Sequence, residues 1–286
     1  MHSGICWLDG KIHPVHEAKI PVLDHGLLYG DGVFEGIRFY NDKPFLIEKH
    51  LSRLFDSAQA IALEAPWSKN ELIDIIQDVV NTSDLTDGYI RVIITRGEGA
   101  LGIDPQHCKH PRLIVIADSL QMVNARVHEK GANLIIASTR RLPPDGLDPR
   151  IKSLNYLNHI LARIEANYAG VDEAILLNRQ GNVAEGSADN IFIVKNSVLI
   201  TPQITDGALA GITRELILNL ASKIKIETRE QQLAPYDLYT ADECFLTGTG
   251  AELIPVRSID GRILKHNLGP QYKKLKVAFT NFILSA

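Results

Sequence analysis

Cysteine is scarce in this sequence. The 286 residues hold three, Cys6, Cys108 and Cys244. They are odd in number and scattered, which excludes a disulfide framework and reads as buried or incidental thiols in a reducing compartment. Neither CxxC nor HxxxH occurs, and the ten histidines gather at no metal-ligand spacing, so no metal site is expected. No apolar run approaches the roughly 20 residues that span a bilayer. Met1 to Gly10 lacks both a basic region and a long apolar core, so no signal peptide is expected. Positive charge is not in excess: the net charge is -4 and the pI near 6.2, which leaves no basic field for nucleic acid. Repeats, low-complexity tracts and a disordered tail are also missing. What remains is an ordinary composition, 45% hydrophobic and 22% charged, in a chain long enough for one large or two medium domains. A soluble, cytoplasmic protein is the expectation.

Periodicity and punctuation outline the elements. Ile5 to Leu8, Asp9-Gly10 and Lys11 to His13 read as a hairpin with a two-residue turn. Ile20 to Gly32 carries three glycines and reads as a sharply turning loop. Val33 to Tyr40 and Phe45 to Ile47 read as strands. Glu48 to Ala62 places Leu51, Leu54, Phe55, Ala58 and Ala62 on one helical face, with Arg53 just off it. Ser68 to Val80 is a second amphipathic helix with a capping-box pattern, Ser68 and Glu71. Gly88 to Gly97 and Pro111 to Asp118 follow as strands. Weak periodicity from Ser119 to Lys130 suggests a hinge, which divides the chain into 1–120, a linker 121–130, and 131–286. In the second part, Asn133 to Ser138, Glu173 to Asn178, and Val183 to Val194 with a central bend read as strands. Asn158 to Tyr168, Glu215 to Lys223 and Gly269 to Ser285 read as helices.

Four features bear on chemistry. Lys152 lies in Arg150 to Asn158, at the mouth of a helix and beside Tyr156. A lysine drawn out of water loses its proton more easily, and the neutral amine can condense with an aldehyde cofactor. Most lysines are solvated charges, so spacing alone leaves this open. Glu185 is flanked by small residues, which fits a carboxylate approached closely by a bulky group or a plain turn acid. Gly211-Ile212-Thr213 opens a helix whose unpaired N–H groups and dipole make an anion site. Gly248-Thr249-Gly250 could hold a second anion. Tyr89 and Arg91 share one strand face, as a surface or as a carboxylate clamp.

Taken together, the segments DHGLLYGDGVFEGIR, HLSRL, YIRVIITRG, KSLNYLN, AEGSADNIF, GITRE and TGTGAELIPV resemble the class IV aminotransferases. The resemblance covers nearly the whole chain in the family's order and is strongest to the branched-chain amino acid aminotransferases. It implies an α/β (α+β) fold of fold type IV, with a small N-terminal α/β domain, a larger C-terminal β-rich pseudo-barrel domain, and pyridoxal 5'-phosphate in the cleft between them. The implied cofactor set is Lys152, which also moves protons between the substrate α-carbon and cofactor C4'; Glu185 at the pyridine nitrogen; Arg53, Ile212, Thr213 and Thr249 at the phosphate; Tyr156 at the 3'-oxygen; and Leu209 on the ring face. The implied substrate set is Tyr29, Phe34, Arg38, Tyr89, Arg91, Thr249, Gly250 and Ala251. Within it, Tyr89, Thr249 and Gly250 meet the α-carboxylate and Arg91 the side-chain carboxylate of glutamate. Phe34 and Tyr29 wall an apolar pocket, Tyr29 reaching in from a second subunit, so a homodimer or higher homo-oligomer is expected.

The resemblance implies reversible transfer of an amino group between Leu, Ile or Val and 2-oxoglutarate. D-amino acid aminotransferase, aminodeoxychorismate lyase and R-selective amine transaminase share the cofactor apparatus. Arg96 keeps the D-specific alternative open, because an arginine on that strand can serve the reversed carboxylate geometry. A vestigial cofactor-binding protein without turnover is disfavoured by the complete Lys, Glu, Arg and Tyr set.

Overall fold

A computed structural model describes residues 4–120 and 125–285. The chain divides into two compact units, residues 1–121 with 151–155, and residues 122–150 with 156–286.

The first unit begins with the hairpin expected at Asp9-Gly10: β1 (Ile5–Leu8) and β2 (Lys11–Pro14) pair antiparallel, with both turn residues at positive φ. The glycine-rich stretch is not all loop. It holds a short helix, α1 (His25–Tyr29), which Asp24 caps by accepting the Gly26 N–H. Then come β3 (Gly32–Tyr40) and a two-residue β4 (Lys43–Pro44). The strand expected at Phe45 to Ile47 does not form: Leu46 turns through the left-handed region and Ile47 opens α2 (Ile47–Ala60). α3 (Lys69–Thr82) carries the expected capping box, with the Ser68 hydroxyl accepting from Glu71 N–H and the Glu71 carboxylate from Ser68 N–H. β5 (Gly88–Thr95) and β6 (Arg112–Asp118) complete a six-stranded sheet of order β2-β1-β6-β5-β3-β4.

One face of this sheet is the core. Ile37, Phe39, Ile90 and Ile94 pack with Leu51 and Leu54 of α2 and Leu72 and Ile76 of α3, all fully buried. Each such side chain contributes roughly 1.5–3 kcal/mol of transfer free energy. Strand alternation then turns Phe34, Gly36 and Arg38 of β3, and Tyr89, Arg91 and Ile93 of β5, to the other face. Residues 151–155 are bonded into this unit. Phe34 N–H donates to Lys152 O, Leu154 N–H to Gly32 O, and Asn155 Nδ2 to Gly30 O.

Four residues of the expected linker (121–124) lie outside the described residues, and its remainder forms α4 (Ala125–Lys130), the first element of the second unit. The elements that follow are β7 (Ala132–Arg140), α5 (Leu157–Tyr168), β8 (Glu173–Leu177), β9 (Val183–Gly186), β10 (Asn190–Lys195), β11 (Val198–Thr201), α6 (Ile212–Lys223), β12 (Thr228–Glu230), α7 (Pro235–Tyr239), β13 (Glu243–Gly248), β14 (Glu252–Ile259), β15 (Arg262–Ile263) and α8 (Pro270–Ser285). The nine strands form one curled, mixed sheet of order β12-β11-β10-β13-β14-β7-β8-β9, with β15 on β14. β7 and β8 are parallel, and α5 provides the crossover that a parallel pair requires. Leu134, Ile175, Val183, Ile191, Leu246 and Val256 make its core.

Candidate active site

In the first unit the face opposite the core carries the candidate substrate residues. The β3–β5 register sets Gly36 against Arg91 and Arg38 against Tyr89. Gly36 is what lets Tyr89 lie across β3, since a Cβ there would stand 1.8 Å from the tyrosine hydroxyl. The Arg91 guanidinium lies 4.5 Å from the Phe34 ring centroid and 5.4 Å from that of Tyr89. Lys152 Nζ lies 4.6 Å from the same Phe34 ring. Arg38 stacks over Tyr40 at 5.1 Å, and its buried Nε has no hydrogen-bond partner among the described residues. Tyr29 stands edge-on to His25, and its hydroxyl accepts the Gly102 N–H at 2.9 Å.

Elements remote in sequence hold the Lys152 backbone. Its carbonyl accepts from Phe34 N–H, its own N–H donates to Ser57 Oγ at 3.1 Å, and Ser153 bridges to Val33. The side chain is half-buried. β3 and α2 therefore fix this lysine, through contacts remote in sequence.

Arg53 is held from beneath. Its Nε and Nη2 donate to the two oxygens of Glu35 at 2.7 and 3.0 Å, a bidentate pair. Glu35 is wholly buried, and it also takes the Nδ1–H of buried His50 at 2.7 Å. Burial pushes the Glu35 carboxyl upward, but the Arg53 charge and the His50 hydrogen bond outweigh it and bring it down to about 2. Burial holds His50 below its usual value, and the charges of Arg53 and Lys152 add to that, so the ring is neutral near pH 7 and its Nδ1 carries the proton that Glu35 accepts. Sequence reasoning missed Glu35 and His50. The signal was present for Glu35: it alternates with Val33, Ile37 and Phe39, and a charge in an apolar strand face requires a buried partner.

Arg96, which kept the D-specific alternative open, is consumed by the fold. It forms a bidentate pair with Asp31, both bonds 2.9 Å, and donates to the carbonyls of Ile61 and Ala62.

In the second unit Glu185, on β9, is 4% exposed. Its Oε2 accepts the Leu209 N–H at 2.9 Å, and its Oε1 lies 2.9 Å from Arg141 Nε. The Leu209 carbonyl accepts from Asn190 Nδ2 at 3.0 Å, so both polar groups of that residue are pinned. Two residues on, Gly211 opens α6 with no side-chain cap, and Ile212 and Thr213 follow, both buried. A Cβ on Gly211 would stand 1.9 Å from Asn190 Oδ1. The turn Thr249-Gly250-Ala251 joins β13 to β14, and the buried hydroxyl of nearby Thr247 has no hydrogen-bond partner among the described residues. Tyr156 precedes α5 and stacks on His159 at 4.3 Å; the His159 Nδ1–H donates to Ser187 O at 2.7 Å. A cavity of about 500 Å³ in this unit is lined by His159, Glu173, Asp189 and Ala251 among others, but not by Glu185, Leu209, Ile212 or Thr213. Arg141 and Asn190 were assigned no role from the sequence, although Asn190 lies within the AEGSADNIF segment. No group of histidines, cysteines and acids able to hold a metal ion occurs among the described residues.

Comparison with known proteins agrees along nearly the whole chain. A family model for amino-transferase class IV matches residues 32–259. A Methanocaldococcus jannaschii protein provisionally named a branched-chain-amino-acid aminotransferase is 49% identical over 274 residues, 96% of this chain and 94% of that protein. The Escherichia coli branched-chain amino acid aminotransferase structure superposes with a TM-score of 0.94 at 37% identity, covering 98% of this chain and 94% of its own. The branched-chain amino acid aminotransferase of Thermobaculum terrenum, solved in its PLP-form, gives 0.86 at 30% identity, covering 98% of this chain and 94% of its own. The chain is a member of the class IV aminotransferase family.

Proposed function

We propose that this protein is a branched-chain-amino-acid aminotransferase, exchanging the amino group between Leu, Ile or Val and 2-oxoglutarate to give 2-oxo acids and L-glutamate, with pyridoxal 5'-phosphate. The observation that carries the substrate reading is the β3–β5 face. Phe34, Gly36 and Tyr89 give it an apolar wall, and Arg91 adds one guanidinium beside Phe34 and Tyr89. Such a wall accepts a branched aliphatic side chain, and its arginine accepts the second carboxylate of glutamate.

The donor set fits the cofactor. Anion-binding features are present in an arginine braced by a buried acid and in an uncapped helix start at Gly211. Thr247 supplies a buried hydroxyl that lacks a partner among the described residues. When bound, pyridoxal 5'-phosphate supplies an aldehyde that carries the amino group and a ring that accepts electrons. In this reading Arg53, the N–H groups of Ile212 and Thr213, and the hydroxyls of Thr213 and Thr249 bind the phosphate. Glu185 holds a proton at the ring nitrogen, Tyr156 meets the 3'-oxygen, and Leu209 packs on the ring. Lys152 moves the proton at the substrate α-carbon. Tyr89, Thr249 and the Gly250 N–H orient the α-carboxylate, and Arg38 and Ala251 complete the assigned substrate set.

A homodimer is part of the proposal, with Tyr29 serving the partner's pocket. Leu157, Ile160, Leu161, Ile164 and Tyr168 form an exposed apolar stripe at helical spacing along α5, and Leu27, Leu28, Leu101 and Ile103 are exposed in the first unit. No helix among the described residues is long and apolar enough to cross a membrane. Three unbridged thiols favour the cytoplasm.

The test mixes loaded protein with single L- and D-amino acids and follows loss of its visible absorption band. L-Leu, L-Ile, L-Val and L-Glu should bleach it and their D-forms should not; a D-selective response would reverse the assigned handedness. Arg91→Ala should lower kcat/KM for glutamate by roughly 10-fold to 100-fold while changing leucine little. Equal losses would remove the role of Arg91.

A further inference from the structure

The Arg141–Glu185 pair is more enclosed than a neighbouring charge requires. Arg141 follows β7 directly, and its N–H donates to Leu177 O at 2.8 Å, at the end of β8. The side chain is 6% exposed. Its Nε–H is directed at Gly207 O, 3.0 Å away, while the same nitrogen lies 2.9 Å from Glu185 Oε1. Nη1 reaches Asn158 Oδ1 at 3.4 Å. Gly207 adopts a φ of +107°, and a Cβ there would approach Arg141 Cγ at 3.1 Å. A backbone conformation that favours glycine thus aims a carbonyl at the guanidinium. β9 places Glu185 opposite Leu176 of β8, the neighbour of the residue that anchors Arg141.

A buried ion pair contributes little net stability, because both ions lose their water. Its chemical effect is larger. A carboxylate beside a guanidinium is a poorer base than one buried alone. A proton shared between such a carboxylate and a ring nitrogen therefore stays on the nitrogen. Without the guanidinium, the buried acid takes the proton back and the ring becomes a weaker electron acceptor.

We propose that Arg141 is a positioning residue: it fixes the orientation and the charge of Glu185, and so decides that the shared proton resides on the cofactor nitrogen. The proposal rests on the assignment of Glu185 to that nitrogen. Arg141 touches neither substrate nor cofactor in this scheme and acts only through Glu185.

The experiment uses the full chain as Arg141→Met, Arg141→Lys, Glu185→Gln and the Met/Gln double variant. Cofactor-free protein is melted. Each of Arg141→Met and Glu185→Gln strands one buried charge or its partner and should lower Tm by roughly 5–10 °C; the double variant should lose clearly less than the sum. Protein loaded with ring-15N pyridoxal 5'-phosphate is then examined by NMR. Arg141→Met should move the nitrogen signal from the pyridinium toward the pyridine range and lower kcat roughly 10-fold to 100-fold, with KM changed about 2-fold or less. Arg141→Lys keeps the charge and serves if the Met variant does not fold: it should hold the pyridinium signal, with the pH of its loss displaced by about one unit. Additive Tm losses with an unmoved nitrogen signal in the arginine variants would overturn the proposal. If Glu185→Gln itself left that signal unmoved, the assignment of Glu185 would fall instead, and the two failures are distinguishable.

Discussion

Glu35 with Arg53 in the first unit, and Glu185 with Arg141 in the second, are both buried carboxylate–guanidinium pairs, and they work in opposite senses. In the first pair the acid is the fixture. Glu35 is wholly buried and gathers Arg53, the His50 ring and the Gly36 N–H, leaving the arginine the more exposed partner. In the second pair the arginine is the fixture, held by the Gly207 carbonyl and Asn158, and Glu185 is assigned to the chemistry. In the proposed scheme the same two residue types thus brace an anion-binding cation in one place and a proton-holding anion in the other. Which member works is read from which one the fold has already saturated.

The sharpest way to break this comparison is Glu185→Gln. It should lower kcat roughly 10²-fold to 10⁴-fold while the protein still takes up the cofactor; stopped-flow decay of the visible band measures the first and equilibrium dialysis the second. Next is Glu35→Gln. Removing the brace under Arg53 should weaken cofactor affinity roughly 10-fold to 100-fold, with kcat at saturating cofactor changed only about 3-fold. If both variants lost the same quantity, the two pairs would not be distinct in role.

The smallest effect is in pH. Glu35 has a folded value of about 2 against an ordinary 4.5, so its contribution to stability is complete above 4.5 and is lost as pH falls toward 2. His50 has a lowered value, so the unfolded chain takes up a proton below 6.5 that the folded one refuses, and stability falls there too. Tm of cofactor-free protein should therefore decline on acidification from neutrality, and Glu35→Gln should flatten the part of the curve below 4.5. An unchanged curve would show that Glu35 is not the titrating brace.

Local chemistry was legible in advance. Asp9-Gly10 supplies two residues that accept positive φ, so the hairpin forms there. Ser68 and Glu71 satisfy each other's backbone N–H groups, which fixes the start of α3. The spacing of Leu51, Leu54 and Ala58 gives α2 its buried stripe. Where local signals conflicted, reading by pattern failed. Phe45 to Ile47 looks like a strand, yet Leu46 turns and the helix begins. Ile20 to Gly32 looks like a loop, yet Asp24 caps a helical turn within it.

The candidate site was legible as a set of residue types and opaque as a set of partners. The motifs named Lys152, Arg53 and Glu185, but not what holds them. Lys152 is tied to Phe34 and Ser57, 95 residues from the latter. Arg96 could be read as a substrate clamp until Asp31, 65 residues away, proved to occupy it. The sequence by itself determined periodicity, caps and turns, because these depend on groups a few bonds apart. Only the tertiary structure decided which charges are buried together and which of each pair is fixed, because Coulomb and hydrogen-bond energies depend on distance in space, and strand register sets that distance.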